Sequence, residues 1–514
     1  MSIENLSQLR YFILNIKKAE NSTRVLFFCA FYYLVNFTLT PNEFSPVHQD
    51  DYILLGRGLR DMAVFIERPV TLNFVYLIAE IGVFPTFLLV SAIVVFLPIA
   101  VIHFFELVFG LRYRWYSLIL FSAICFGHFS SFENGKYLGS VVGVSGLLGS
   151  LTLLSMLIAW GEKSKKFTLF ALIGYGLTCF SREDFLLPPL ILLSFFYLST
   201  FLRLDSNKSN ENLTIYRKNV LIIGGAMTIL ALLSVIFSAM VGSRFASMFS
   251  SNLVANDPYA VRLTISSVMA AFQKLTLQFI PGPTIFALFG LIVGWFVFQK
   301  KRMELIVSSL IIFLIILPYT IIPNNLPSYR VVGWLPWLAA FGCMTTQVVV
   351  EKIRERLGVL VWMFGVGLLF ISSFYVLMQF NTERQTIAGW YVGQQSLNKN
   401  MLVTLQKNSD LISREKVVAI RGVEGLSPWG NTDAEYLRNK LGYKNKWVVL
   451  VNKNSAYNTI NYVGASGDVH TNDYRRYVTV AAVSGMCDLP DMLLIDFDKE
   501  GLGELNRTSH LCLK

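Results

Sequence analysis

Charge is what this sequence most conspicuously lacks. Only 15% of its 514 residues are charged and 54% are hydrophobic, whereas soluble domains carry roughly a quarter charged residues. Mean hydropathy is +0.53, which excludes a water-soluble globular protein. There is no phosphate-binding glycine motif, so the glycine-loop nucleotide folds are excluded. His48, His103, His128, His470 and His510 are scattered, and none stands at a metal-ligand spacing. No internal repeat or low-complexity tract is present, which removes solenoids and disordered tails from consideration.

What the chain has is long apolar runs. A membrane span needs about 20 apolar residues. Seven clear charge-free windows cover 81–105, 137–161, 219–243, 275–299, 305–329, 331–350 and 357–382, and four shorter ones cover 25–40, 115–132, 167–181 and 185–202. They predict about eleven transmembrane helices. The two short windows flanking Arg182-Glu183-Asp184 read as two spans or one broken hairpin. Residues 1–24 place Leu6, Leu9, Ile13 and Ile16 on one helical face, with Arg10, Lys17 and Lys18 nearby, and predict a retained cytoplasmic interfacial helix.

The net charge of +11 follows topology and is no nucleic-acid signal. With the N-terminus cytoplasmic, inward segments hold nineteen Lys and Arg, including the Lys300-Lys301-Arg302 run, against nine in the outward loops before the tail. This satisfies the positive-inside rule. The inward loops are too short for a catalytic domain, so any chemistry belongs outside or within the membrane. The expected architecture is an α-helical polytopic membrane protein, with a transmembrane domain over 25–380, a first outward loop at 41–80 and a small C-terminal α/β extracytoplasmic domain over 381–514. In that tail 416–421, 447–451 and 492–497 read as buried strands, and 390–406 and 433–441 as helices. Residues 61–80 suggest a helix on the outer membrane surface, bent near Pro69. Four of the six cysteines lie in spans; Cys487 and Cys512 lie in the tail, where an oxidising compartment favours a disulfide between them.

Three clusters can carry chemistry. The first outward loop holds His48-Gln49-Asp50-Asp51-Tyr52, followed by Arg57, Arg60 and Arg68. Adjacent acids repel, and partial dehydration raises one pKa, which suits one as general base and the other as positioning group. Asp51 is the first choice for the base and Asp50 the second. The second cluster is Arg182-Glu183-Asp184, three charges between apolar windows, where charge is costly and usually functional. The third is Tyr329-Arg330, a guanidinium opening a late span and suited to bidentate phosphate binding.

This layout resembles the GT-C superfamily of integral-membrane glycosyltransferases: an acidic motif in the first outward loop (Asp50-Asp51), an outward Arg-acid turn (Arg182-Glu183-Asp184), and a late Arg330 followed by Leu335 and Pro336. Asp51-Tyr52, then Gly58 and Arg60, then Glu67-Arg68-Pro69, is similar to the bacterial serotype-converting glucosyltransferases that modify O-antigen in the lipopolysaccharide of the inner-membrane assembly pathway. The resemblance spans about residues 20–350. It implies a polyprenyl-phosphate-linked sugar as donor, an outward Asp base, inversion at the anomeric carbon, and no metal or other cofactor. The expected donor-phosphate ligands are Arg330, Arg182, Arg68 and Arg60, with His48, Tyr52, Arg57, Glu183, Asp184 and Tyr329 as substrate contacts. The expected partners are that donor, a periplasmic glycan or lipid-linked acceptor, and membrane lipids.

Two other readings stand beside a hexose transferase of the bacterial inner membrane, with glucose among the candidate sugars. An O-antigen polymerase has a similar span number, but its long outward loops lie mid-chain. A lipid-sugar transporter or flippase needs charges deep in the membrane and often repeats; here the polar groups collect on the outward side. The topology is checked by reporter fusions after Lys166, Arg302 and Thr382. Alkaline phosphatase is expected to be active only after Thr382, and an inactive fusion there would overturn the outward placement of the tail.

Overall fold

A computed structural model describes residues 20–38, 70–136, 141–162, 164–201, 210–241, 264–297, 299–321, 328–422, 434–451, 478–483, 487 and 490–512. Helix α1 (Glu20–Tyr33) continues as a π-turn over Leu34–Thr38. Then come a short α2 (Thr71–Ala79), the long α3 (Val83–Phe109), and a bent pair, α4 (Trp115–Gly127) and α5 (Phe129–Lys136). They are followed by α6 (Val141–Glu162), α7 (Lys165–Cys179), α8 (Pro188–Phe201) and α9 (Asn210–Val241). A second bent pair is α10 (Ile265–Gln273) with α11 (Pro281–Val297); α12 (Arg302–Thr320) and α13 (Leu335–Leu357) complete the bundle.

Each of the eleven apolar windows contains a helix. Among the described residues five helices are long and apolar enough to cross a membrane, or up to seven if each bent pair counts as one span, so the expected count of about eleven is not confirmed. The two windows flanking Arg182-Glu183-Asp184 form separate helices, α7 and α8. The expected interfacial helix lies largely outside the described residues, because the description begins at Glu20.

Helix ends follow local chemistry. Gly110 ends α3 in the left-handed conformation (φ 60°), its N–H donating to the Glu106 carbonyl, a geometry glycine adopts without a Cβ penalty. Ser164 caps α7, accepting from the Phe167 N–H. The centre of the bundle is α13, where Leu335, Trp337, Ala339, Ala340 and Cys343 are fully enclosed. By contrast α9 and the first half of α14 (Val359–Lys407) present Ile222, Leu232, Leu360, Phe364 and Phe374 outward, as a lipid-facing surface does.

At 49 residues, α14 passes through residue 381 without a break and ends inside the C-terminal α/β unit. After α15 (Ser409–Arg414) come β1 (Val417–Arg421), α16 (Glu435–Asn439), β2 (Lys446–Val451), β3 (Val478–Ala482), β4 (Leu493–Phe497), β5 (Gly503–Arg507) and α17 (Thr508–Cys512). The sheet order is β3-β2-β1-β4-β5, parallel except for β5, with Val418 opposite both Trp447 and Leu493. Leu397, Met401 and Leu405 of α14 pack on one face with Val418, Ile420 and Trp447, while Ala419, Leu450 and Leu494 fill the other. Burial on both faces explains the near-continuous apolar strands. Cys487 is disulfide-bonded, while Cys29, Cys125, Cys179 and Cys343 are free.

The end of the bundle opposite this domain is locked by buried polar groups. Arg24 donates to Glu106 at 2.7 Å and to the Tyr113 carbonyl at 3.1 Å. Glu106 also accepts from the Tyr113 N–H and meets His103. Glu106 is 1% exposed. Truncating one partner of a buried pair strands the other charge, so Glu106→Ala is expected to cost about 3–5 kcal/mol, read as a large drop in the unfolding midpoint in detergent.

Candidate functional site

At the domain-bearing end lie two short 3-10 segments, the first packed on α12 and the second on α5 and α6. Glu183–Phe185 joins α7 to α8, and Ser328–Gly333 leads into α13. The first is seated by Phe185, whose ring fills the place of a side chain at Gly149 of α6: a Cβ there would lie 2.2 Å from Phe185 Cγ. The Tyr175 hydroxyl donates to the Leu186 carbonyl at 2.7 Å and fixes the exit of the turn.

So seated, the turn delivers Asp184 into the protein at 2% exposure and Arg182 at 9%. Nε of Arg182 lies 3.0 Å from Oδ1 of Asp184. The Tyr319 hydroxyl, from the last turn of α12, donates to Oδ2 at 2.5 Å. The Arg182 guanidinium also stands over the Tyr319 ring at 4.8 Å. Arg330 is buried at 7% exposure, in the segment whose Gly333 meets Tyr319. Gly333 admits Tyr319 closely, since a Cβ there would lie 3.1 Å from the hydroxyl oxygen, and Trp334 packs on its ring at 4.6 Å. Tyr319 thus joins two clusters that are about 150 residues apart in sequence.

The segment between α1 and α2 reaches the same place at both ends. Where α1 runs out, Phe37 lies under the ammonium of buried Lys136, 4.1 Å from its ring, and Tyr32 packs against Gly135. Lys136 ends α5, which packs on Ser328–Gly333. At the other end of the segment, the Val70 N–H donates to the Phe180 carbonyl at 3.4 Å, two residues before Arg182. Residues 39–69 themselves lie outside the described residues, and with them His48, Asp50, Asp51, Tyr52, Arg57, Arg60 and Arg68. Arg182, Asp184 and Arg330 are brought together. Glu183 and Tyr329 share their backbone segments, but their side chains are not among those described, nor is that of Cys512.

An apolar cavity of about 780 Å³ opens between α10, α11, α12 and α13. Ile316 and Leu338 line it, each about one helical turn from Tyr319 and Trp334 respectively. The cavity thus shares α12 with Tyr319, while its lining is drawn from other residues.

With this arrangement in view, comparison with solved structures gives a clear result. The fold resembles that of ArnT. The apo crystal structure of ArnT from Cupriavidus metallidurans aligns at a TM-score of 0.52 over 93% of each chain, at 10% identity. The same protein bound to undecaprenyl phosphate aligns at 0.51, over 95% of this chain and 94% of that one, at 12% identity. No protein-family model and no curated protein matches. The helical polytopic architecture with a C-terminal α/β domain is therefore one shared with ArnT; at this identity the likeness is one of fold.

Sequence reasoning missed Tyr319, which lies uncharged inside an apolar window, and Arg384. Arg384 was assigned to the tail, yet it is fully buried and donates to the Gly127 carbonyl at 3.2 Å, at the 58° bend between α4 and α5. Tyr319→Phe removes the hydrogen bond to a buried carboxylate. It is expected to cost about 1.5–3 kcal/mol, measured as a lowered unfolding midpoint that Arg182→Lys, which keeps the charge, reproduces only in part.

Proposed function

We propose that this protein is a membrane glycosyltransferase. It moves a hexose from a polyprenyl-phosphate-linked donor to a periplasmic glycan or lipid acceptor such as O-antigen, with inversion at the anomeric carbon. The observation that carries this reading is the buried Arg182–Asp184–Tyr319 cluster, with buried Arg330, in a bundle that also holds a large apolar cavity, on the fold of ArnT, for which a structure bound to undecaprenyl phosphate exists. A polyprenyl chain needs an apolar groove and its phosphate needs guanidinium groups, and the bundle carries both.

In the proposed reaction the acceptor hydroxyl attacks the anomeric carbon while Asp51 takes its proton. The bond from that carbon to the phosphate oxygen breaks, and the electron pair leaves with the polyprenyl phosphate. Arg330 stabilises the charge that develops on the phosphate. Arg182 already shares its charge with Asp184, so its larger part is to hold that carboxylate and the Tyr319 hydroxyl in place. Arg60 and Arg68 join the phosphate from the first outward segment, and His48, Tyr52 and Arg57 contact the sugars. In this orientation the α/β domain is periplasmic and the N-terminus cytoplasmic, and Cys487 pairs with Cys512.

The test measures sugar incorporation into glycan by membranes carrying Asp50→Asn, Asp51→Asn or both, at matched protein levels. Losing a general base typically lowers the rate by about 10²–10⁴, so Asp51→Asn should insert normally and transfer very slowly. Arg330→Lys should weaken donor binding, because it keeps the charge but loses the bidentate fork. Full activity in the Asp50/Asp51 double variant would end this mechanism.

A further inference from the structure

The α/β domain touches the membrane bundle beside α2. Tyr436, in α16, packs with the core of its own domain, next to Leu437. It also packs with a separate cluster in the bundle formed by Val75 and Ala79 of α2, Phe87 and Val90 of α3, and Val144 of α6. Tyr436 is thus shared by two hydrophobic cores, and burial raises its phenol above the ordinary value. One turn further along α16, Lys440 pairs with Glu80, the residue following α2, at 3.3 Å.

Helix α2 is a short bar. Its leading end follows residues 39–69, and the Val70 N–H just before it is tied to Phe180 beside Arg182. At its trailing end Glu80 pairs with Lys440, and Tyr436 packs on the cluster to which Val75 and Ala79 of α2 belong. Only nine residues long, α2 is too short to hold its position by helix propensity alone. Its placement is fixed by what packs on it.

We propose that Tyr436, supported by the Lys440–Glu80 pair, is a positioning residue for the transfer reaction: through it the C-terminal domain holds α2, and thereby Val70 and the Phe180–Arg182 turn to which it is tied, in register with Asp184 and Tyr319. This role rests on the function proposed above, whereas the mechanical grip on α2 does not. The apolar contact carries most of the grip, because a half-exposed ion pair contributes little on its own. A displacement of about 1 Å in a reacting group can lower a rate up to about 10²-fold.

The test uses the full chain in lipid membranes, with Tyr436→Ala, Tyr436→Phe, Lys440→Glu, and Lys440→Glu combined with Glu80→Lys. Two readouts are taken: hydrogen exchange of the α2 amides, and kcat and KM for a synthetic polyprenyl-phosphate sugar. Tyr436→Ala should speed exchange in α2 while α3 stays protected, and should lower kcat about tenfold with donor KM within about twofold. Tyr436→Phe, which keeps the ring, should restore both. Lys440→Glu should act in the same direction more weakly, and the charge-swapped pair should recover. Unchanged exchange in Tyr436→Ala would overturn the grip, whatever the chemistry of the protein. Faster exchange with unchanged kcat would overturn the positioning role. Faster exchange in a protein whose wild type transfers no sugar would leave the grip standing and remove the proposed function together with the role in transfer.

Discussion

A charge inside an apolar bundle must be met by an opposite charge or by enough hydrogen bonds, and this constraint organises the whole molecule. The chain has few charged residues to place, and most of the buried ones stand in two clusters. At one end Arg24, Glu106, His103 and the Tyr113 backbone form a closed network. At the other, Arg182, Asp184 and Tyr319 do the same next to Arg330. Both networks join elements distant in sequence, so each is also a clamp between helices. Between them the bundle is close to charge-free, and lipid packing alone would hold those helices together weakly.

The same constraint governs the broken helices. A bend frees backbone carbonyls that have no water to turn to, and other groups must satisfy them. At the bend between α4 and α5 that role falls to Arg384, whose guanidinium reaches the Gly127 carbonyl, with Asn381 accepting from its other arm. Lys301 similarly donates to the Phe109 carbonyl at the end of α3. These are structural uses of cations, and they separate Arg384 and Lys301 from the arginines that converge near Tyr319.

The bundle and the α/β domain are coupled in two ways. Helix α14 is a rigid strut that begins among lipid-facing side chains and ends in the domain core. Tyr436 and Lys440 make a second contact, on α2. Two contacts at different places fix an orientation where one would leave a hinge. The domain is therefore a structural neighbour of the charged cluster, reached through α2 and Val70, and its parallel sheet serves as the platform on which α16 is presented.

Hydrophobic runs legible in the sequence determined which segments are helical, because a segment in lipid must satisfy its own backbone hydrogen bonds and only a helix does so locally. Strands β1, β2 and β4 were legible for a related reason: strands covered on both faces are continuously apolar. Strand β5 was not, because Gly503–Arg507 is a polar edge strand, and its pairing with β4 is a tertiary matter. The importance of Arg182, Asp184 and Arg330 could be read from charge in an apolar context. That they meet could not, because their meeting depends on Tyr319, a neutral residue in an apolar window, and on the empty space left by Gly149 and Gly333. The number of crossings was likewise open in sequence, since a bend of 58° or 100° leaves composition unchanged while altering how far a helix reaches. Composition and periodicity thus determined where the chain enters an apolar phase, and only packing decided which polar groups share a site, because burial makes each buried charge depend on partners that local sequence does not name.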